Sequence, residues 1–235
     1  MNYQNTEKYN YKFLLMFIIF YISTFPLVGL SLHKPVVLGP LHLQASSLIY
    51  PLTFFLADII TEVYGYKISR QLIWCQIPCT IYYQSILLLI LFGVPTPVNW
   101  QYQYAYDYVF KGMGIIGFFG DFGLVIGFFL NSFLISKWKI LLKGKYFWLR
   151  AIGASVLGES IQLSIGLIGT FFAKIWTPSE IIILFSNVII FRLIMTIILS
   201  GPANIIATLL KKVERTDIYD YKTNFNPFIF YIKNE

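Results

Sequence analysis

The stretch Phe13-Leu-Leu-Met-Phe-Ile-Ile-Phe-Tyr-Ile-Ser-Thr-Phe-Pro26-Leu-Val-Gly-Leu-Ser-Leu32 runs without a single charged side chain. At about 1.5 Å of rise per residue, a helix of this length crosses the ~30 Å hydrocarbon core of a bilayer. It is longer than the apolar core of a signal peptide, and no small-residue cleavage site follows it, so it reads as a retained membrane helix. Five further apolar blocks follow at about 46–64, 72–94, 114–136, 151–173 and 181–210. The second is the least apolar of the six, and the last is long enough to tilt or to continue past the membrane. The composition agrees. The chain is 57% hydrophobic and 12% charged over 235 residues, against about 25% charged residues in soluble domains. The fold class expected is therefore all-α, a polytopic membrane protein with six transmembrane helices forming a single transmembrane domain over 1–235.

The positions of the basic residues set an orientation. With a cytoplasmic N-terminus and six spans, 14 of the 18 Lys and Arg residues fall on the cytoplasmic side, Lys8 and Lys233 among them. Lys34, Lys111 and Lys174 fall on the other side, and Arg192 lies inside a span. This asymmetry follows the positive-inside rule, and removing a helix would scramble it. It also accounts for the net charge of +7 without nucleic acid. Both termini are then cytoplasmic. The polar, aromatic loop from Val94 to Lys111 divides the spans three and three, the arrangement of inverted-repeat transporters. The middle helix of each half carries acidic residues.

Ionised side chains inside a bilayer cost at least ~2.5 kcal/mol each on insertion scales, so each requires a reason. Asp58 and Glu62, four residues apart, share one face of the second helix. Two like charges so close in a low-dielectric interior favour proton coupling, or capture of a cationic or donor-rich solute. The plainer alternative is an ion pair with Arg192, or a carboxylate reaching water at a helix end. Ser155, Glu159 and Gln162 form one polar stripe on the fifth helix, which must face the bundle interior. Interhelical hydrogen bonding alone is the competing role. Arg192 is expected to pair with a buried acid first and to contact a solute second. Asp121 lies in a ladder of Gly114, Gly117, Gly120, Gly123 and Gly127, where close helix packing is the simpler role.

Other residue types carry less. Pro26, Pro51, Pro78 and Pro202 fall in or near apolar blocks and can kink them. Cys75 and Cys79, one turn apart in an apolar segment, read as small buried hydrophobes. They lack the CxxC spacing, and His33 and His42 sit in a short loop with no supporting ligands, so neither a metal nor a cofactor is expected. An intramembrane enzyme would need motifs such as HExxH or GxSxG, or a His within a span, and the sequence has none of these.

The stretch from Tyr50 through Asp58, Glu62 and Gly65 to Lys67, followed by Arg70, closely resembles the signature of the queuosine precursor transporter family, also called the vitamin-uptake-transporter type. Trp148-Leu-Arg150-Ala-Ile-Gly-Ala-Ser155, running into Gly158-Glu159, resembles its fifth-helix motif. The tail from Lys211 through Glu214, Asp217 and Asp220 to Asn226-Pro227-Phe228 resembles its C-terminal end. The resemblance implies a bacterial inner-membrane importer of 7-deazaguanine compounds such as preQ0, preQ1 or queuine, used to make queuosine in transfer RNA. The partners implied are a purine-like small molecule and the lipid bilayer, with a homo-oligomer left open. The substrate-binding set is then Asp58, Glu62, Ser155, Glu159, Gln162 and Arg192. A carboxylate can accept the adjacent ring N–H and exocyclic amine of such a base, and aromatic rings can stack on its flat face. Two positions depart from the family pattern, with Gln162 replacing an Asp and Arg192 replacing a Lys. Other readings are a different purine-like or cationic solute, or a substrate-binding component of a larger transport complex with a coupling surface on the basic loop Lys137–Arg150.

The orientation is testable directly. A reporter fused after Glu235 should be active on the cytoplasmic side, and an active fusion on the opposite face would remove the six-span, both-termini-inside arrangement.

Overall fold

The computed structural model of the protein describes residues 11–97, 99–111, 115–172, 174 and 177–229, the side chains of Lys111, Ile115 and Ile116 excepted. Lys8, Lys233, Gly114 and Ala173, the end of the fifth block, lie outside the described residues. In chain order the elements are α1 (Leu14–Ser31), an antiparallel hairpin of β1 (Pro35–Leu38) and β2 (Leu41–Gln44), a 3-10 turn (Ala45–Leu48), α2 (Tyr50–Gly93), α3 (Gln103–Lys111), α4 (Ile115–Leu141), α5 (Phe147–Phe172) and α6 (Pro178–Glu214). Two of these differ from the expected loops. His42 lies on β2, and the aromatic connection after Val94 contains the short helix α3.

Among the described residues, five helical segments are long and apolar enough to cross a membrane. One of them, α2, contains 44 residues and is broken at Gly65, where φ is 80° and ψ 172°. Thr61 Oγ1 donates to Ser69 Oγ at 2.9 Å, whereas eight residues along a straight helix span about 12 Å. The chain therefore turns back on itself. The first arm (50–64) and the second arm (66–93) correspond to the second and third apolar blocks, and the bundle has six rods. The four prolines do not break it. Pro26, Pro78 and Pro202 lie inside continuous helices, and Pro51 sits in the first turn of α2. The turn falls at Gly65 because that backbone conformation is open essentially to glycine alone.

The C-terminal tail holds this turn. Val63 O accepts from Ile218 N at 3.4 Å, and Asp220 Oδ2 accepts from Tyr66 N at 2.9 Å. Arg70 Nη1 donates to the carbonyls of Asn224 and Asn226 at 2.8 and 3.1 Å, and Trp74 Nε1 donates to Pro227 O at 2.6 Å. A Cβ added to Gly65 would lie 2.8 Å from Ile218 Cγ2. Arg70, assigned to a cytoplasmic loop by its charge, is thereby buried beneath the tail.

Helices α4 and α5 approach closely at the glycine ladder. A Cβ on Gly127 would lie 2.6 Å from Gly158 O, and one on Gly123 would lie 2.8 Å from Gln162 O. The absence of side chains lets the two backbones touch and sets the polar stripe of α5 against Asn131 on α4. An aromatic cluster fills the space toward α1 and α2, with Phe54 stacked on Phe128 at 4.5 Å and Tyr21 edge-on to Phe128 at 5.4 Å. Outward faces are apolar, including Leu15, Ile182 and Ile198, as a lipid-facing surface requires. Cys75 and Cys79 also face outward, which corrects their expected burial. They lie on the side of the second arm away from Gln76 and Thr80, both of which are buried.

Gly65→Ala should cost on the order of 1–3 kcal/mol, since it combines a strained backbone with a clash against the tail. Thermal unfolding in detergent would register this as a lowered Tm, and an unchanged Tm would show that the turn does not depend on glycine.

Candidate functional site

The six candidate residues are all buried, and the structure sorts them into three polar clusters. The first surrounds Glu62, which has no exposed surface. Arg150 Nη1 and Nη2 donate to its two carboxylate oxygens at 2.8 and 3.0 Å, a bidentate pair. Lys211 Nζ reaches Oε1 at 2.5 Å, and Lys139 Nζ donates to the Glu62 backbone carbonyl at 2.6 Å. Asp217, in the tail, accepts from Lys139 at 2.6 Å and pairs with Lys211 at 2.9 Å. Partial burial pushes the Asp217 carboxyl upward, but those two lysines outweigh it and hold it below the ordinary carboxylate range. The partner of Glu62 is thus Arg150, not Arg192. Arg150 was counted as a loop cation, yet it is 1% exposed. From the first turn of α5 its side chain reaches inward, also donating to Ile135 O and Lys145 O.

The second cluster surrounds Asp58. Asn131 Nδ2 donates to Oδ1 at 2.6 Å and Ser155 Oγ to Oδ2 at 2.8 Å. Asp58, Ser155, Thr196 and Ser200 border a narrow cavity between α2, α5 and α6. The middle helices of the two halves therefore meet through Asp58–Ser155 and Glu62–Arg150. Their shared face is real, but the two acids on it have separate partners.

Glu159, Gln162 and Arg192 make the third cluster. Arg192 Nη1 donates to Gln162 Oε1 at 2.6 Å and to Glu159 O at 3.3 Å. Its Nε lies 3.9 Å from Glu159 Oε2, too far for a hydrogen bond. Both atoms are buried without a hydrogen-bond partner among the described residues. The guanidinium also lies 4.4 Å from the ring centroid of Tyr50, within cation–π range. Thr196 Oγ1 contacts Glu159 Oε1 at 3.4 Å. Unmet hydrogen-bonding capacity at this depth is costly, and it marks the place where a polar ligand or water would be accepted.

Arg192 and Gln162 open onto a cavity of about 70 Å³, room for several water molecules. Tyr50, Tyr83, Gln44, Ser46, Ser47 and Asp121 also line it, with Phe25 and Leu124 among the apolar members. The 3-10 turn and the end of β2 close it from one side. Asp121 Oδ2 accepts from Gln84 Nε2 at 2.7 Å. The packing role of the glycine ladder is met by Gly123 and Gly127, while a Cβ on Gly120, next to Asp121, would meet open space.

Sequence reasoning did not identify Asn131, Arg150, Tyr50, Tyr83 or Gln84 as site components. Asn131 was legible as a lone amide in an apolar block, and Tyr50 and Arg150 lie within the quoted motifs. Tyr83 and Gln84 carry no local signal, because only the fold of α2 at Gly65 returns them beside Tyr50.

Removing the Glu62 charge should leave Arg150, Lys139 and Lys211 poorly compensated. Breaking a buried ion pair typically costs about 3–5 kcal/mol. Glu62→Gln should therefore lower the detergent Tm well below that of Asp58→Asn, whose partners are neutral. Equal shifts would remove the distinction between a structural Glu62 and an Asp58 free for other work.

Over residues 44–207, more than half of the chain, the sequence matches the family described as "Putative vitamin uptake transporter". The matched region runs from the end of β2 through most of α6 and contains all three clusters apart from Lys211 and Asp217. No curated protein and no solved structure matches the chain.

Proposed function

Because the chain belongs to the vitamin uptake transporter family, a family of multi-pass membrane transporters of small molecules, we propose that it imports a 7-deazaguanine precursor of queuosine, such as preQ0, preQ1 or queuine, across a bacterial inner membrane. The observation that carries this reading is the cavity bordered by Tyr50, Tyr83, Gln162 and Arg192. Aromatic rings there suit a flat heterocycle. The free Arg192 Nε, beside Glu159 Oε2, suits a solute whose edge both accepts and donates hydrogen bonds. Asp58 and Ser155 stand behind that cavity along the contact of α2 with α5, Glu159 faces α6, and Glu62 closes the cytoplasmic end. Opening of the bundle between Asp58 and Thr196, where a narrow cavity already exists, would carry a solute between them.

A different purine-like or cationic solute is the second reading, favoured by Gln162, which brings an amide where the resemblance implies a carboxylate. A role as the binding component of a larger complex is less well supported. The basic loop available for coupling is partly engaged internally, since Lys139 and Arg150 face Glu62 and Lys137 lies 4.2 Å from the Phe225 ring centroid.

The test is complementation in a bacterium unable to make queuosine precursors and lacking its own importer. Queuosine in transfer RNA should return when a limiting 7-deazaguanine base is fed. Asp58→Asn and Glu159→Gln should each abolish uptake while the protein remains in the membrane. No restoration by the wild-type protein, with membrane insertion confirmed, would sink the queuosine reading. Wild-type uptake by both variants would remove the carboxylates from the mechanism.

A further inference from the structure

Each of the three acids fully buried in the bundle lies within ion-pair or hydrogen-bond reach of a neighbouring side chain. Glu62 faces Arg150 and Lys211, Asp58 accepts from Asn131 and Ser155, and Glu159 lies beside Arg192 and Thr196. Asp121 is different. Its described hydrogen bond comes from Gln84, a neutral amide on the second arm of α2. Among the described residues no Lys or Arg lies within ion-pair distance of it. Yet it lines the same cavity as Arg192, whose buried Nε has no hydrogen-bond partner among the described residues. An anion from α4 and a cation from α6 thus border one cavity without touching each other, with Tyr50 and Tyr83 on the same lining.

We propose that Asp121, positioned by Gln84, is the carboxylate that selects the transported solute. Widened by opening of the bundle beyond its present volume of about 70 Å³, the cavity takes a flat heterocycle with an acceptor edge for Arg192 and a protonated amine for Asp121. An ionisable residue at membrane depth ordinarily marks a substrate path, and a carboxylate without a protein cation is complementary to a cationic group on the solute. This inference rests on the proposed import of 7-deazaguanines and sharpens it. An aliphatic amine, like that of lysine, is protonated at neutral pH and donates a charge-assisted hydrogen bond. A nitrile only accepts, and it meets the Asp121 carboxylate with no donor. The aminomethyl-bearing base is therefore the preferred cargo over its nitrile-bearing counterpart.

Asp121→Asn isolates the charge, because an amide still accepts from Gln84 and the helix contact is kept. Purified full-length protein in liposomes is assayed for uptake of the aminomethyl-bearing and the nitrile-bearing base. The wild-type protein should favour the amine by about tenfold or more, the scale of one charge-assisted contact. Asp121→Asn should abolish that preference by losing amine uptake, and Asp121→Glu should restore part of it. Wild-type uptake of the nitrile compound equal to or above that of the amine overturns the inference and leaves the proposed function intact. A preference unchanged in Asp121→Asn, or both compounds falling together in it, also overturns it. Uptake of neither base by the wild-type protein overturns both. The wild-type comparison alone decides if the variants fail to insert.

Discussion

A carboxylate without exposed surface, Glu62, sits where α2, α4, α5 and α6 converge, and it draws Arg150, Lys139 and Lys211 onto itself. Isolated, any of these charges would be intolerable in a low-dielectric interior. Together they form a closed set, and the set can exist only if the turn at Gly65 places Glu62 at the end of the first arm. The tail depends on it as well. Asp217 joins the same lysines, and the chain beyond it runs across the turn to Arg70 and Trp74. Loss of that convergence would release the hairpin, the tail and the ends of three helices together.

Above this anchor the polar groups become progressively less satisfied. Asp58 has two neutral donors. Glu159 and Arg192 are 3.9 Å apart, each with a buried atom that lacks a partner among the described residues. Among the described residues Asp121 has a single amide donor, that of Gln84. The gradient runs from a locked end to a cavity with free hydrogen-bonding capacity. The near-contact of α4 and α5 at Gly127 and Gly158 keeps the stripe of α5 in register with α4.

The two departures from the resembled family pattern are in contact. Gln162 Oε1 accepts from Arg192 Nη1 at 2.6 Å. A carboxylate–ammonium pair and an amide–guanidinium pair occupy the same place in different ways. The guanidinium retains further donors in its plane after meeting Gln162, and it lies over the Tyr50 ring as well. The net charge of the pair differs by one unit from that of the pair it replaces. Under the proposed function, recognition of a cationic solute would fall to another acid, and Asp121 is the acid that lines the cavity.

The sequence alone determined that the chain lives in a bilayer. Six uncharged or sparsely charged blocks admit few other solvents. It also marked Asp58, Glu62, Ser155, Glu159, Gln162 and Arg192 as buried, because a polar stripe in an apolar helix has to face inward. Partners were a different matter. Periodicity reports which face of a helix is buried but not what lies opposite. Thus Arg150 was placed in a loop although it pairs with Glu62, and Cys75 and Cys79 were placed inside although they face lipid. The tertiary structure decided those contacts through the reversal at Gly65. That reversal brings Tyr83 and Gln84 back beside Tyr50 and Asp121, over a separation in sequence that no local pattern encodes.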